Sequence, residues 1–282
     1  MSKKVNILEQ TKKLCQLYSI KPARSKGQNF LVKEEVYDDI VEAAMLEKSD
    51  EVLEVGPGLG FLTAKLANKA RKIVAVELDD SIHSALASGL ELHGKENVML
   101  VHGDIMKVPF TDLGLKEGYK IVANLPYNIT SIFIRTFLES ANKPESIVLM
   151  LQKEVAERIC AAPPKMSLLS LSVQFYAIPE IIRYVPAKNF WPAPEVDSAI
   201  IRMIVRKDIP SIDVKKFFRL AKHGFSAKRK MLKNNLACGL KIGADEISRL
   251  LESGGIAGKA RAENLSLDDW LKIFGYFEEY ML

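Results

Sequence analysis

Several features that mark secreted and membrane proteins are missing from this 282-residue chain. No apolar run reaches the ~18 residues that a membrane-spanning helix needs, and the N-terminus lacks the apolar core of a secretory signal. The cysteines, Cys15, Cys160 and Cys238, lie far apart and form no C-x-x-C pair, which argues against a disulfide framework and a zinc site. The histidines are scattered, so we expect no metal. These absences predict a cytoplasmic protein without membrane attachment.

Composition indicates one large domain followed by a small one. Hydrophobic residues make up 48% of the chain, enough for a sizeable core. Strand and helix patterns alternate up to a polar, proline-containing stretch at residues 206–210, and beyond it every pattern is helical. We therefore predict domains at residues 1–206 and 207–282.

Positive charge is concentrated in two stretches. The net charge is +5, but residues 1–30 alone carry +6, so the rest of the chain is close to neutral. Residues 215–233 contain eight basic residues and no acid. Two basic blocks predict contact with a polyanion such as nucleic acid. Solvated helical faces are the ordinary alternative.

A glycine-rich turn follows the first predicted strand, residues 51–55, and precedes a helix. The turn is Gly56-Pro57-Gly58-Leu59-Gly60, and the next strand ends in Glu77, which lies 19 residues beyond Gly58. Glycine lets the backbone approach a ligand, and an acid at that distance binds ribose hydroxyls. Dinucleotide enzymes and S-adenosylmethionine enzymes share this pairing. The spacing G-x-G-x-G, in place of G-x-G-x-x-G, favours the methyl donor.

Polar residues also follow the next two strands. Asp104 comes after residues 98–101, where it could accept a hydrogen bond from an adenine amino group or cap a turn. Asn124-Leu125-Pro126-Tyr127 follows the strand at 121–123. An amide oxygen, a carbonyl left free by proline and a flat ring could together grip a nucleobase edge, although Asn and Pro are also ordinary turn residues. Open α/β sheets bind ligands at this edge.

The remaining patterns predict further strands and a stiff loop. Residues 145–152, 180–185 and 198–205 have strand patterns, and residues 167–177 favour a helix. Between the last two strands, prolines stiffen a loop that should present Phe190 and Trp191. An exposed aromatic there could stack on a base, although for Trp191 we favour a core or surface role.

Eight ordered motifs carry a resemblance to a known family. They are GQNFL (27–31), EVGPGLGFLT (54–63), VAVELD (74–79), GDIM (103–106), NLPYNI (124–129), LMLQKEVAERI (149–159), FWPAPEVDSAIIR (190–202) and FSAKRKMLKNNL (225–236). The chain resembles the ribosomal RNA adenine N6,N6-dimethyltransferases and is most similar to those acting near the 3′ end of small-subunit RNA. The resemblance implies an α/β, Rossmann-like methyltransferase fold with a mostly parallel seven-stranded sheet and a small helical C-terminal domain.

The resemblance also implies functional residues. Those implied for S-adenosylmethionine are Gln28, Asn29, Leu31, Gly56, Gly58, Glu77, Leu78, Asp104, Ile105 and Asn124. Those implied for the target adenine are Asn124, Pro126, Tyr127 and Phe190. Those expected to contact RNA are Lys222, Lys228, Arg229, Lys230 and Lys233. The family implies a monomer that needs no metal and acts on the immature small ribosomal subunit.

Two departures from the family and three rival functions remain open. Where the family usually has Tyr-Gly-Arg-Leu-Ser-Val, residues 167–173 read Ser-Leu-Leu-Ser-Leu-Ser-Val. The usual Arg-Arg-Lys run appears as Lys228-Arg229-Lys230, which keeps the charge but loses one planar guanidinium. The rivals are a large-subunit adenine methyltransferase of the macrolide-resistance type, a ribosome-assembly factor with little catalysis, and a nicotinamide-dependent oxidoreductase.

Overall fold

The computed structural model describes residues 6–22, 28–93, 95–125 and 129–280. Two compact units emerge from the packing. The sheet unit comprises Met1–Ala156 with Pro179–Val205, and the helical unit comprises Glu157–Ile178 with Arg206–Leu282. Within the described residues, no helix combines the length and apolar character needed to cross a bilayer.

In the part of the chain that the structure describes, nine strands form two sheets. They are β1 (Phe30–Leu31), β2 (Glu51–Val55), β3 (Lys72–Glu77), β4 (Val98–His102), β5 (Lys120–Asn124), β6 (Ser146–Gln152), β7 (Ala177–Val185), β8 (Phe190–Trp191) and β9 (Ser198–Val205). The large sheet has the order β4-β3-β2-β5-β6-β9-β7, and β1 pairs with β8 in a separate two-stranded sheet. Strands β4, β3, β2, β5 and β6 are parallel, whereas β9 runs antiparallel to β6. The predicted seven-stranded, mostly parallel sheet is confirmed.

Helices alternate with the strands up to β6, and further helices follow β9. They are α1 (Ile7–Leu17), α2 (Glu34–Ala43), α3 (Phe61–Ala67), α4 (Asp80–His93), α5 (Phe110–Leu113), α6 (Thr130–Glu139), α7 (Lys153–Ile159), α8 (Leu168–Tyr176), α9 (Val214–Gly224), α10 (Leu232–Leu240), α11 (Ala244–Ser253) and α12 (Leu267–Phe277). The helix favoured at residues 167–177 is present as α8.

The core of the sheet unit explains why its central strands are almost wholly apolar. Val52, Ile73, Val122 and Val148 come from four adjacent strands and pack with Ile40 of α2 in one buried cluster. Burying each such side chain contributes ~1.5–3 kcal/mol relative to leaving it exposed. A strand covered on both faces loses the alternating pattern, and β6, buried at every position before Gln152, shows this.

The helical unit is organised around aromatic side chains. Phe217 of α9 contacts Phe274 of α12 at 5.7 Å between ring centroids and Phe175 of α8 at 5.2 Å. These contacts explain why Glu157–Ile178, assigned by sequence to the first domain, groups with the C-terminal helices. Ser266 caps α12, with its hydroxyl accepting a hydrogen bond from the Asp269 N–H at 3.1 Å.

Two local predictions are wrong. Phe190 and Trp191 do not lie on an open loop, because they form β8 and pair antiparallel with Leu31 and Phe30. In the basic C-terminal stretch, the helical pattern expected to continue beyond Phe225 is interrupted, and α10 begins only at Leu232. Both errors concern short segments whose backbone hydrogen bonds depend on distant partners or on a turn.

Candidate active site

Four strand ends bring the sequence-predicted polar residues to one edge of the sheet. Asp104 follows β4, Glu77 ends β3, Gly56 follows β2 and Asn124 ends β5. These strands are neighbours and parallel, so their carboxyl ends meet at the same edge. Adjacent strands lie ~4.8 Å apart. The four positions therefore form a row about as long as a nucleoside-sized ligand.

The glycine turn lies directly against the end of β5. Gly56, Gly58 and Gly60 have φ values of +67°, +57° and +84°, in a backbone region that residues other than glycine rarely adopt. A Cβ built on Gly56 would lie 3.7 Å from the carbonyl oxygen of Asn124. Asn124 is half-buried, and its carboxamide makes no hydrogen bond to other described residues. The sheet thus places the backbone of Asn124 beside the turn.

Glu77 is held by three backbone N–H groups. Its Oε1 accepts from Leu78 at 3.0 Å and from Asp79 at 2.9 Å, and its Oε2 accepts from Gly58 at 3.3 Å. Burial raises the pKa of this carboxyl, whereas the three N–H donors oppose the rise and favour the charged form. The carboxylate is therefore buried, oriented and tied to the glycine turn.

Asp104 lies next to Glu77 and also closes a turn. The N–H of Gly103 donates to the Glu77 carbonyl at 2.9 Å, which links the ends of β4 and β3. Asp104 Oδ1 accepts from the Met106 N–H at 3.0 Å, so the turn-capping role is present. Its Oδ2 lies 3.6 Å from Lys107 Nζ. Two apolar candidates flank these acids: Ile105 is buried, and Leu78 is 67% exposed.

The segment before α2 covers the glycine turn. Gln28 Nε2 donates to Asp79 Oδ2 at 3.1 Å. Leu31 is buried, and its carbonyl accepts from the Tyr37 hydroxyl at 2.8 Å. Asn29 is half-buried between them. Phe30 was not among the predicted site residues, yet its ring lies 3.7 Å from a Cβ built on Gly58.

The predicted adenine clamp is described only in part. Pro126 and Tyr127 lie outside the described residues. Phe190 is only 5% exposed and packs in the same cluster as Leu31, contrary to the expected exposed aromatic. Pairing with β1 explains this burial, because Leu31 and Phe190 are directly opposite each other.

Sequence reasoning missed a second buried acid, Glu54 of β2. This side chain is 1% exposed, and neither carboxyl oxygen has a hydrogen-bond partner among the described residues. Burial raises its pKa to about 8; the facing Thr63 hydroxyl lowers it and the Glu77 carboxylate raises it. The sequence signal that could have identified Glu54 was a charged residue within a strand that is buried at every position.

The predicted RNA contacts lie on the surface of the helical unit. Lys222 is exposed near the end of α9, and Lys228, Arg229 and Lys230 are exposed in the turn before α10. Lys233 is half-buried in the first turn of α10. In the N-terminal block, Lys12 Nζ lies 5.8 Å from the centroid of the Trp191 ring; Lys3, Lys4, Arg24 and Lys26 lie outside the described residues.

The sheet order, the glycine turn after β2 and the acids after the next two strands define a Rossmann-like methyltransferase. The chain matches the family described as "Ribosomal RNA adenine dimethylase" over residues 20–279. It belongs to that family.

Two relatives from bacteria are similar over nearly the whole chain. The "Ribosomal RNA small subunit methyltransferase A" of Dehalococcoides mccartyi (strain CBDB1) is 44% identical over 95% of this chain and 92% of that protein. The protein of the same name from Clostridium acetobutylicum is 36% identical over 93% of this chain and 96% of its own length.

Two solved structures extend the likeness to three dimensions. A dimethyladenosine transferase from Plasmodium falciparum has a TM-score of 0.79 and 26% identity, covering 89% of this chain and 98% of that chain. The 23S rRNA methyltransferase ErmE has a TM-score of 0.73 and 26% identity, covering 89% of this chain and 100% of that chain.

Proposed function

We propose that this protein transfers methyl groups from S-adenosylmethionine to N6 of two adjacent adenosines near the 3′ end of small-subunit ribosomal RNA, forming N6,N6-dimethyladenosine. Membership of the adenine dimethylase family supports the reaction. The bacterial relatives at 36–44% identity, named as small-subunit methyltransferases, support the substrate. The observation that carries the proposal is the placement of Asn124 against the Gly56 turn.

The described residues suit a cationic, ribose-containing donor. Because Gly56 has no Cβ, the backbone of the turn can approach a ligand closely at the point where the turn meets β5. Glu77 offers an oriented carboxylate for the ribose hydroxyls, and Asp104 an acceptor for the adenine amino group. When bound, S-adenosylmethionine supplies an electrophilic methyl group on a sulfonium centre. The acids at this edge favour such a positive ligand.

The target nitrogen needs activation because its lone pair is delocalised into the adenine ring. In our proposal the Asn124 side-chain oxygen and the Pro126 carbonyl accept the two N6 hydrogens. This geometry favours a pyramidal nitrogen whose lone pair points at the methyl carbon. Because the sulfonium loses its charge as the methyl group moves, positioning supplies most of the acceleration and no metal is required. The same acceptors favour the positive charge that develops on N6.

The base must leave its stack to reach this edge. We assign one face of the adenine to Tyr127 and the other to Phe190. Since Phe190 is buried beside Leu31, this role requires its ring to be uncovered when RNA binds. The second methylation further requires the pocket to accept a monomethylated amine.

The basic residues of the helical unit are proposed to hold phosphates. Lys222, Lys228, Arg229, Lys230 and Lys233 would position the RNA while carrying little sequence information. We place the enzyme in the cytoplasm as a monomer that acts on the immature small subunit.

A methyl-transfer assay with isolated ribosomal subunits tests this function. Immature small subunits and large subunits, each lacking the modification, are incubated with labelled S-adenosylmethionine and the full chain. We expect label in small-subunit RNA as N6,N6-dimethyladenosine. Label in large-subunit RNA alone would support the rival indicated by the likeness to ErmE. Donor binding without labelled RNA would support an assembly factor.

A further inference from the structure

Glu54 occupies a position that the proposed chemistry does not yet use. It lies on β2 two residues before Gly56, opposite Ala75 of β3 and Val122 of β5. Both of its oxygens are buried without a hydrogen-bond partner in the described part of the chain, and so is the hydroxyl of Thr63 on α3. Leaving a buried carboxylate without donors costs several kcal/mol. A neutral, protonated carboxyl avoids most of that cost.

The groups around Glu54 do not supply a compensating positive charge. Tyr37 of α2 and Glu77 of β3 are the titratable groups that interact with it electrostatically, and Thr63 of α3 faces it as a neutral hydroxyl. Glu77 is negative, so its charge disfavours a second carboxylate nearby. Burial is the larger cause of the raised pKa, which reaches about 8. Among these described neighbours, nothing stabilises the charged form strongly.

Glu77 and Glu54 differ in the hydrogen bonds that their carboxyl groups accept. Three N–H groups already hold the Glu77 carboxylate. No described N–H group donates to either oxygen of Glu54, and the Thr63 hydroxyl lowers its pKa by less than burial raises it. A cation that binds at the glycine turn would therefore change the charge state of Glu54 more than that of Glu77. The reason is that three N–H donors already favour the charged form of Glu77.

We propose that Glu54 holds a proton in the donor-free protein and releases it when the sulfonium donor binds, which makes the site selective for the cationic donor over its neutral product. The step is an ionisation: the carboxyl O–H bond breaks, the electron pair stays on the oxygen, and the proton passes to solvent. After methyl transfer the sulfonium has become a thioether, so the carboxylate loses its favourable charge and recovers a proton. This inference rests on the proposed use of S-adenosylmethionine.

Calorimetric titration measures the release directly. S-Adenosylmethionine is titrated into the full chain near pH 7 in buffers of different ionisation enthalpy, which gives the protons released per donor bound. We expect close to one proton for the unsubstituted protein and a far smaller release for Glu54→Gln. The amino group of the donor also titrates near this pH and contributes equally with both proteins. The difference in proton release between the two proteins therefore measures the contribution of Glu54. An equal release from both proteins would overturn the proposal.

A comparison of donor and product tests the selectivity. For the unsubstituted protein, the ratio of product Kd to donor Kd should rise about tenfold between about pH 6 and 7, because one proton is linked to donor binding alone. The same ratio should change much less in Glu54→Gln. A ratio with the same pH dependence in both proteins would contradict the proposal.

Glu51→Gln provides the matched control. Glu51 is also buried and lies on the same strand, but its carboxylate accepts the Lys116 N–H at 2.7 Å and pairs with Arg71. Its substitution should leave proton release unchanged. If Glu54→Gln fails to fold, infrared spectra of the unsubstituted protein test the proposal instead. A band of a protonated carboxyl group should be present without the donor and disappear when the donor is added. A band that is missing from the donor-free protein, or that persists with the donor, would overturn the proposal. Failure of the donor to bind would remove the proposed function itself, whereas binding without proton release removes only this inference.

Discussion

The N–H of Gly58 donates a hydrogen bond to Glu77 Oε2 over 3.3 Å, joining two residues that the sequence separates by 19 positions. That bond fixes the carboxylate at the end of β3 against the turn at the end of β2. It requires Gly58 to keep a φ of +57°. The ribose contact proposed for Glu77 therefore depends on the backbone of Gly58 as well as on the carboxylate itself.

Gly58→Ala should weaken donor binding. An alanine in this left-handed conformation costs roughly 1–2 kcal/mol, and relaxation of the turn would withdraw the N–H from Glu77. We expect the Kd for S-adenosylmethionine to rise about tenfold, as measured by calorimetry.

Gly89→Ala is the matched control for that substitution. Gly89 lies within α4, has ordinary helical backbone and meets nothing within 4 Å of an added Cβ. This change should leave donor affinity unchanged and stabilise the protein by roughly 0.5–1 kcal/mol. Equal donor affinities in the two variants would show that the turn geometry is unimportant.

Asn124→Ala should separate chemistry from binding. Removing the amide oxygen takes away one acceptor for the N6 hydrogens, so we expect the single-turnover rate at saturating donor to fall ~10²-fold or more. Affinity for RNA, measured on the same preparation, should survive because phosphate contacts lie elsewhere. Retained turnover would remove Asn124 from its proposed role.

Glu54→Gln should change how stability depends on pH in the absence of donor. Burial raises the folded pKa of Glu54 to about 8 from the ordinary value of 4.5 for a glutamate. Between these values the unfolded chain has lost the proton and the folded chain keeps it, so stability falls as pH rises by up to about 1.4 kcal/mol per pH unit. Denaturant unfolding at about pH 5 and about pH 8 measures this slope. The substitution should make it shallower, and an unchanged slope would mean that Glu54 titrates normally.

Replacing Lys228, Arg229 and Lys230 together with alanine should weaken RNA binding and reduce its salt dependence. Each lost phosphate contact lowers the slope of log K against log salt by roughly 0.7–0.9, so the triple variant should lose about two units. Filter binding across a salt series provides the measurement. The control replaces Lys259 and Lys272, exposed lysines of the same unit outside the basic stretch. If that control reduced the slope as strongly, general surface charge would explain the binding.

Strong local patterns predicted most of the fold. A continuous apolar strand such as β6 and the Gly56–Gly60 turn are encoded by neighbouring residues, and the structure contains both. The positions of Glu77, Asp104 and Asn124 followed because parallel strands end at one edge.

Features that depend on distant partners could not be predicted in the same way. Phe190 is buried only because β8 meets β1, which lies far away in the sequence. The grouping of Glu157–Ile178 with the C-terminal helices arises from contacts between Phe175 and Phe217. The buried, unpartnered state of Glu54 depends on Thr63 and Tyr37, which come from two separate helices.

Mapping of N6,N6-dimethyladenosine in ribosomal RNA from cells lacking this protein tests the proposed activity most directly. Mass spectrometry of small-subunit RNA should show two adjacent adenosines near the 3′ end unmodified in those cells and dimethylated once the unsubstituted gene is restored, but not with the Asn124→Ala variant. Dimethylation that persists without the protein, or a modification lost from large-subunit RNA instead, would contradict it.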